Sequence, residues 1–311
     1  MTLPKPLHGV ITPLATPLLD RDKLDGPALD RLVEKIIAGG VTGIFVLGTT
    51  GEALGLSHRL RKEILHRVCS AAGDRVPVLT SITDTSIIES LNFADEAMSA
   101  GASGLVLAPP YYYEMTQPEL LRYVETVSHE APLPIYLYNI PYLTKTHYSP
   151  EVVRAAADLP NVWGIKDSSG DMDYFAELIH RLADRPEFAV LCGPEERLAE
   201  AIAMGAHGGI AGGSNLAPEL FVELCHAATN GDAKRVAEIQ TRVMRISHGV
   251  YHASAEGSSY LRGMKCALSL LGSCRNIMAE PYEPFGPAET ETVRIALAGA
   301  GLLPELIGKG A

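Results

Sequence analysis

The sequence has five cysteines in 311 residues, Cys69, Cys192, Cys225, Cys266 and Cys274, and no C-x-x-C spacing among them. An odd, scattered set predicts reduced thiols, most of them small core residues, in a cytoplasmic protein. No apolar run approaches the ~18 residues that a membrane-spanning helix needs. Met1 to Leu7 carries two prolines and no apolar h-region, so no signal peptide is expected. Positive charge is in short supply. Lys and Arg total 26 against 37 Asp and Glu, a formal net charge of −11, and no basic cluster compensates locally. Nucleic acid is therefore not an expected partner, nor is a membrane. The ten histidines show no ligand spacing with cysteines or carboxylates, so no metal site is expected. No Gly-Lys-Ser/Thr follows a glycine-rich turn, which excludes a P-loop.

What is present is apolar material, 47% of the chain, arranged as a repeated strand-then-helix alternation. Apolar runs at 9–14, 43–48, 76–81, 104–108, 134–139, 164–167, 188–193 and 208–212 read as strands buried on both faces. Helical periodicity follows each, over about 26–39, 57–72, 86–99, 117–129, 149 onward, 171–183, 195–204 and 218–228. Eight such units at a spacing of about 20–33 residues predict a closed parallel (β/α)8 TIM barrel; an open, doubly wound sheet is the alternative. Residues 1–230 would form the catalytic barrel. Residues 231–311 read as a C-terminal helical extension packed on it, with helices over about 232–249, 258–271 and 287–300.

In a barrel of this kind, chemistry sits where strands end and loops begin. Lys166 ends the apolar segment Gly164-Ile165-Lys166-Asp167 and precedes small polar residues, Ser168 first among them. A lysine in an apolar wall loses its preference for the charged form. A neutral amine there can attack a carbonyl and form a Schiff base; a surface lysine opening a loop is the plainer reading. The run Gly48-Thr49-Thr50-Gly51-Glu52 offers backbone N–H groups and two hydroxyls, a cradle for a carboxylate or phosphate, or else a turn that caps the next helix. Tyr136 and Tyr138 share one face of their strand. Tyr138 and Lys166 lie on neighbouring strands and can meet at the mouth, where a phenol can relay protons. Glu195 and Glu196 end the seventh strand and either bind substrate hydroxyls or favour the following helix N-terminus. The glycines after the eighth strand leave an open wall for a ligand.

These segments converge on a family. Gly48-Thr49-Thr50-Gly51-Glu52, Pro110-Tyr111-Tyr112, Tyr138-Asn139-Ile140-Pro141 and Gly164-Ile165-Lys166-Asp167 occur in order along a barrel. Together they resemble the dihydrodipicolinate synthase / N-acetylneuraminate lyase family of class I, Schiff-base-forming lyases, over essentially the whole chain. The resemblance implies that Lys166 forms an imine with pyruvate or another 2-oxo acid and that Tyr138 relays protons. It implies that Thr49 and Thr50, with Gly51, hold the carboxylate, and that Ile210 places a backbone carbonyl near the imine. Thr49 would link Tyr138 to a tyrosine from a neighbouring subunit, which Tyr112 matches. That implies a homo-oligomer, a tetramer built as a dimer of dimers. No metal or organic cofactor is implied, because the imine itself is the electron sink.

One departure bears on substrate. Dihydrodipicolinate synthases carry an arginine two residues after the proline of Tyr-Asn-x-Pro, where it binds the aldehyde substrate's carboxylate. Here that position is Leu143, which cannot act as a bidentate carboxylate clamp. The segment looks more like the branch acting on 2-keto-3-deoxy sugar acids. Glu195 and Glu196 align with acidic residues that bind polyol hydroxyls in sialate lyases, and Gly212 stands where those enzymes carry serine. The expectation is aldol cleavage, or the reverse condensation, of a 2-keto-3-deoxy sugar acid to pyruvate and an aldehyde. The alternatives are a dehydratase on the same imine, a dihydrodipicolinate synthase, and a non-catalytic 2-oxo acid binding protein.

Overall fold

A computed structural model describes residues 3–304. Ten strands alternate with helices: β1 (Gly9–Pro13), β2 (Leu18–Asp20), β3 (Lys23–Leu24), β4 (Gly43–Val46), β5 (Val78–Ser81), β6 (Gly104–Leu107), β7 (Ile135–Asn139), β8 (Val162–Asp167), β9 (Ala189–Cys192) and β10 (Gly208–Ile210). The order β1-β10-β9-β8-β7-β6-β5-β4 closes a barrel, and every pairing in it is parallel. This is a (β/α)8 TIM barrel. The short antiparallel hairpin β2–β3 lies outside it, in the loop after β1.

The helices are α1 (Gly26–Ala38), α2 (His58–Ala72), α3 (Ile87–Ala100), α4 (Gln117–Glu130), α5 (Pro141–Thr144), α6 (Pro150–Ala156), α7 (Met172–Arg181), α8 (Leu198–Met204), α9 (Pro218–Thr229), α10 (Ala233–Ile246), α11 (Ser259–Leu270) and α12 (Pro287–Gly299). Their starts follow local chemistry. The Ser57 hydroxyl accepts the Leu60 N–H, Ser149 accepts that of Val152, and the Asp171 carboxylate accepts those of Asp173 and Tyr174. A single π-turn, Ser247–Tyr251, continues α10 and places Tyr251 inward.

Strand alternation divides the core into two layers. Ile11, Phe45, Leu79, Val106, Tyr136, Tyr138, Leu191 and Ile210 point into the barrel and fill it. Their neighbours, such as Val10, Ile44, Leu105, Leu137, Ile165 and Val190, point outward and meet the helices. Full burial of each such side chain stabilises by about 1.5–3 kcal/mol. Gly164 faces inward beneath Lys166, where an added Cβ would lie 2.8 Å from the Tyr136 ring. The large Tyr136 thus fills the volume that Gly164 vacates.

Candidate active site

The β7–β8 pairing sets the site. Its register aligns Tyr138 with Lys166 and Asn139 with Asp167. Because Ile165 faces the helices, Lys166 faces the barrel interior, and it is 5% exposed. Its Nζ lies 4.2 Å from the centre of the Tyr138 ring and 5.4 Å from that of Phe45. Aromatic faces favour a cation modestly. Burial outweighs them and lowers the Lys166 pKa to about 7, with the Cys192 thiol acting weakly in the other direction. A large fraction of this amine is therefore neutral near pH 7.

Its neighbour points the other way and serves as an anchor. Asp167 accepts the Asn139 Nδ2–H at 2.8 Å, the Ser169 hydroxyl at 2.9 Å and the Ser169 N–H at 3.1 Å. Asn139 in turn accepts the Tyr148 N–H. Burial raises the Asp167 pKa against the lowering effect of these donors. The cluster ties the ends of β7 and β8 together and fixes the loop that carries Ser168. Gly193 comes so close that a Cβ there would lie 1.9 Å from the Ser168 hydroxyl.

Opposite Lys166 stands the turn after β4. The strand ends at Val46, because Leu47 adopts the left-handed region at φ 58°. Glu52, at φ 56°, closes the same turn. Between them the Thr49 hydroxyl lies 3.5 Å from the Tyr138 hydroxyl, and the Thr50 hydroxyl lies 2.8 Å from that of Tyr260. Gly51 passes 3.0 Å from the Leu14 carbonyl, measured to an added Cβ, and its own carbonyl accepts the Thr16 hydroxyl. Burial raises the Tyr138 pKa, opposed by hydrogen bonds from Thr49 and Ser168. Tyr138 is thus a neutral phenol between two hydroxyls, with its ring against the amine. Ile210 ends β10, buried on the interior wall. Thr49, Tyr138, Tyr142, Leu143 and Tyr260 line one end of a cavity of about 860 Å³, which runs from this mouth out past Arg61 on α2 and Glu96 on α3.

Lys166, Tyr138, Thr49, Thr50, Gly51 and Ser168 therefore come together. Three expected residues lie outside this cluster within the single chain. Tyr112 is 78% exposed and packs edge-on to Tyr113, while Tyr111 lines the cavity. The Glu195 carboxylate is buried and engaged: it accepts the Gly213 N–H at 2.7 Å and the Tyr251 hydroxyl. Burial, with the neighbouring Glu196 charge, raises its pKa to about 8. Glu196 accepts the Ser247 hydroxyl at 2.5 Å. Both carboxylates thus brace the loops after β9 and β10 against the C-terminal helices.

Tyr260, Tyr251 and Lys265 escaped the strand-end reading, since they come from helical segments after residue 230. A Cβ at Gly212 would lie 2.1 Å from the Tyr260 hydroxyl. Tyr260 fills the space that a serine side chain at 212 would occupy. One signal existed for Lys265: it interrupts the otherwise apolar run Met264-Lys265-Cys266-Ala267-Leu268. Among the described residues no group of three or more His, Cys, Asp or Glu is arranged to hold a metal ion, and no helix there is long and apolar enough to cross a membrane.

Comparison with known proteins matches this geometry to one family. The Dihydrodipicolinate synthetase family model matches residues 6–299. A structure described as dihydrodipicolinate synthase from Bacteroides thetaiotaomicron is 47% identical, covers 96% of this chain and 100% of its own, and superposes with a TM-score of 0.92. YagE, a prophage protein from Escherichia coli K12 solved in complex with pyruvate, is 30% identical over 95% of this chain and 99% of its own, with a TM-score of 0.90. A curated relative, the 4-hydroxy-tetrahydrodipicolinate synthase of Chelativorans sp. strain BNC1, is 34% identical over 95% of this chain and 99% of its own. The curated name of the Escherichia coli K12 protein is "Putative 2-dehydro-3-deoxy-D-gluconate aldolase YagE"; in that comparison it is 34% identical over 76% of this chain and 80% of its own. The chain belongs to the dihydrodipicolinate synthetase family of lyases.

Proposed function

We propose that Lys166 forms an imine with a 2-oxo acid and that the enzyme cleaves, or in reverse forms, a carbon–carbon bond in a 2-keto-3-deoxy sugar acid. The observation that carries this reading is the buried Lys166 amine, held near a pKa of 7 against Tyr138. The neutral amine attacks the C2 ketone, and loss of water gives the imine. Thr49, Thr50 and the N–H groups of their turn hold the substrate carboxylate and fix C2 beside Nζ. Once the C4 hydroxyl gives up its proton, the C3–C4 bond breaks. Its electron pair moves into the protonated imine, an aldehyde leaves and an enamine remains. Protonation at C3 and hydrolysis then release pyruvate and regenerate the amine. Tyr138, neutral and flanked by Thr49 and Ser168, relays protons to and from these oxygens. The Ile210 carbonyl accepts a hydrogen bond near the imine. Glu196, half-buried beside Tyr142, is the acidic group nearest in kind to a polyol contact, whereas Glu195 supports the wall.

Substrate choice rests on the β7 loop. Leu143 and Tyr142 line the cavity where a synthase would present an arginine. Neither supplies a bidentate clamp for a second carboxylate. The sugar-acid branch is also the one to which the name of the Escherichia coli relative points. The 47% identity to a structure described as dihydrodipicolinate synthase favours the second reading, condensation of pyruvate with aspartate semialdehyde. Loss of water from the same imine is the third. We place the enzyme in the cytoplasm, in keeping with its five free cysteines. We also assign it to a tetramer in which exposed Tyr112 reaches the Thr49–Tyr138 pair of a neighbouring subunit. A lactate dehydrogenase-coupled assay with 2-dehydro-3-deoxygluconate tests the reaction. Pyruvate release supports the aldolase; water loss without pyruvate replaces it by a dehydratase. Efficient condensation of pyruvate with aspartate semialdehyde overturns the reading of Leu143.

A further inference from the structure

The turn that holds Thr49 and Thr50 is bracketed by two non-glycine residues in the left-handed region, Leu47 and Glu52. Such a conformation persists only where its surroundings impose it. Two residues of helix α11, Tyr260 and Lys265, supply those surroundings at three consecutive positions of the turn, Thr50, Gly51 and Glu52. Tyr260 hydrogen-bonds the Thr50 hydroxyl at 2.8 Å. Lys265, five residues on, donates to the Thr16 carbonyl at 2.7 Å and the Ile277 carbonyl at 2.8 Å. The Thr16 hydroxyl passes the constraint on by donating to the Gly51 carbonyl. The Lys265 ammonium also lies 2.7 Å from Glu52 Oε1. That approach is off the hydrogen-bonding direction, so charge holds it. The other Glu52 oxygen accepts the Ala279 N–H at 2.8 Å. Both partners of the ion pair are almost fully enclosed, with side chains 2% and 3% exposed.

A buried ion pair is weak evidence for stability, because desolvation offsets much of the attraction. Its use here is geometric. A carboxylate that ends the turn is fixed from both oxygens, and the ammonium that fixes it also fixes the strand-loop beneath Gly51. We propose that Lys265 and Glu52 are positioning residues. Through them and Tyr260, α11 sets the shape of the turn that receives the 2-oxo acid carboxylate. The role assigned to Lys265 rests on the function proposed above. The group does not touch the reacting atoms. It acts through the turn, so its loss weakens capture of the carboxylate more than it slows chemistry at Lys166.

Lys265→Met alone would strand the Glu52 charge in an apolar site and can unfold the chain. The double variant Glu52→Gln/Lys265→Met removes both charges with little change in volume, and Tyr260→Phe removes one hydroxyl. Two readouts apply to the full-length protein. The first is hydrogen–deuterium exchange over residues 47–53, which needs no substrate. Faster exchange there in both variants, with β7 and β8 peptides unchanged, is the expected result. Unchanged exchange overturns the proposal. The second is borohydride trapping against pyruvate concentration. The half-saturating pyruvate concentration rises about tenfold in the double variant, the loss expected for a misplaced charge-assisted contact. The trapped fraction at saturation stays at the wild-type level. An unchanged half-saturation in a folded double variant also overturns the proposal. If wild-type protein traps no pyruvate while exchange quickens in the variants, the functional reading fails and the control of the turn by α11 stands.

Discussion

Replacing Lys166 by methionine removes a titratable group from an apolar site and leaves a side chain of similar length. The structure gives the size of the effect. Burial moves the lysine from an ordinary 10.5 to about 7. Below about pH 7 the amine is charged in both folded and unfolded chains, and the folded state carries the whole cost of the buried charge. Between about pH 7 and 10.5 the unfolded chain holds the extra proton, so stability rises with pH. Above 10.5 the cost is gone. At ~1.4 kcal/mol per pH unit, the cost is roughly 5 kcal/mol at pH 6 and roughly 2 kcal/mol at pH 9. The advantage of Lys166→Met over wild type should therefore be about 3 kcal/mol larger at pH 6 than at pH 9. For a chain of this size that is a change of about 5 °C in the Tm difference. Thermal unfolding of both proteins at the two pH values reads it. Other titrating groups are common to both proteins and cancel. A Tm difference that is the same at pH 6 and pH 9, or smaller at pH 6, refutes the claim that Lys166 is held neutral by burial.

Three further outcomes follow from the same geometry. The acid limb of kcat/KM for pyruvate release should rise through an apparent pKa of about 7, since only the neutral Lys166 amine attacks; a limb centred above 9 contradicts it. Tyr138→Phe should lower kcat by about 10²–10⁴-fold, the usual span for loss of a proton-relay group, measured by coupled pyruvate release, with Tm nearly unchanged. Gly212→Ala pushes a Cβ against the Tyr260 hydroxyl and should lower stability by about 1–3 kcal/mol. Adding Tyr260→Phe should restore much of that loss, as read by denaturant unfolding; equal losses in the single and double variants would show that the hydroxyl is not the obstacle.

Elements that declare themselves by local pattern were legible before the structure. The apolar runs at 43–48, 104–108 and 134–139 read as strands buried on both faces, and strands stand at Gly43–Val46, Gly104–Leu107 and Ile135–Asn139. Their count gave the barrel, and the barrel rule put Lys166, Tyr138 and Thr49 at one mouth. Boundaries slipped where one residue changed conformation. The second barrel strand, expected to reach Gly48, stops at Val46 because Leu47 turns left-handed. The hairpin 18–24 gave no signal, since two and three residues cannot show alternation. Glu195, at a strand end, read either as a ligand-facing acid or as a charge favouring the next helix N-terminus. Its buried partners, Gly213 and Tyr251, lie 18 and 56 residues away in sequence. Lys265 and Tyr260 reach the Thr49–Thr50 turn across more than two hundred residues, a juxtaposition that only the packing of α11 on the barrel reveals.

Imine formation at Lys166 is open to borohydride trapping. Protein is incubated with saturating pyruvate, reduced, and analysed by intact mass and peptide mapping, with Lys166→Ala treated in parallel. A reduced pyruvyl adduct is expected on the Lys166 peptide and none in the variant. No adduct on wild-type protein, or an adduct on a different lysine that persists in Lys166→Ala, would contradict it.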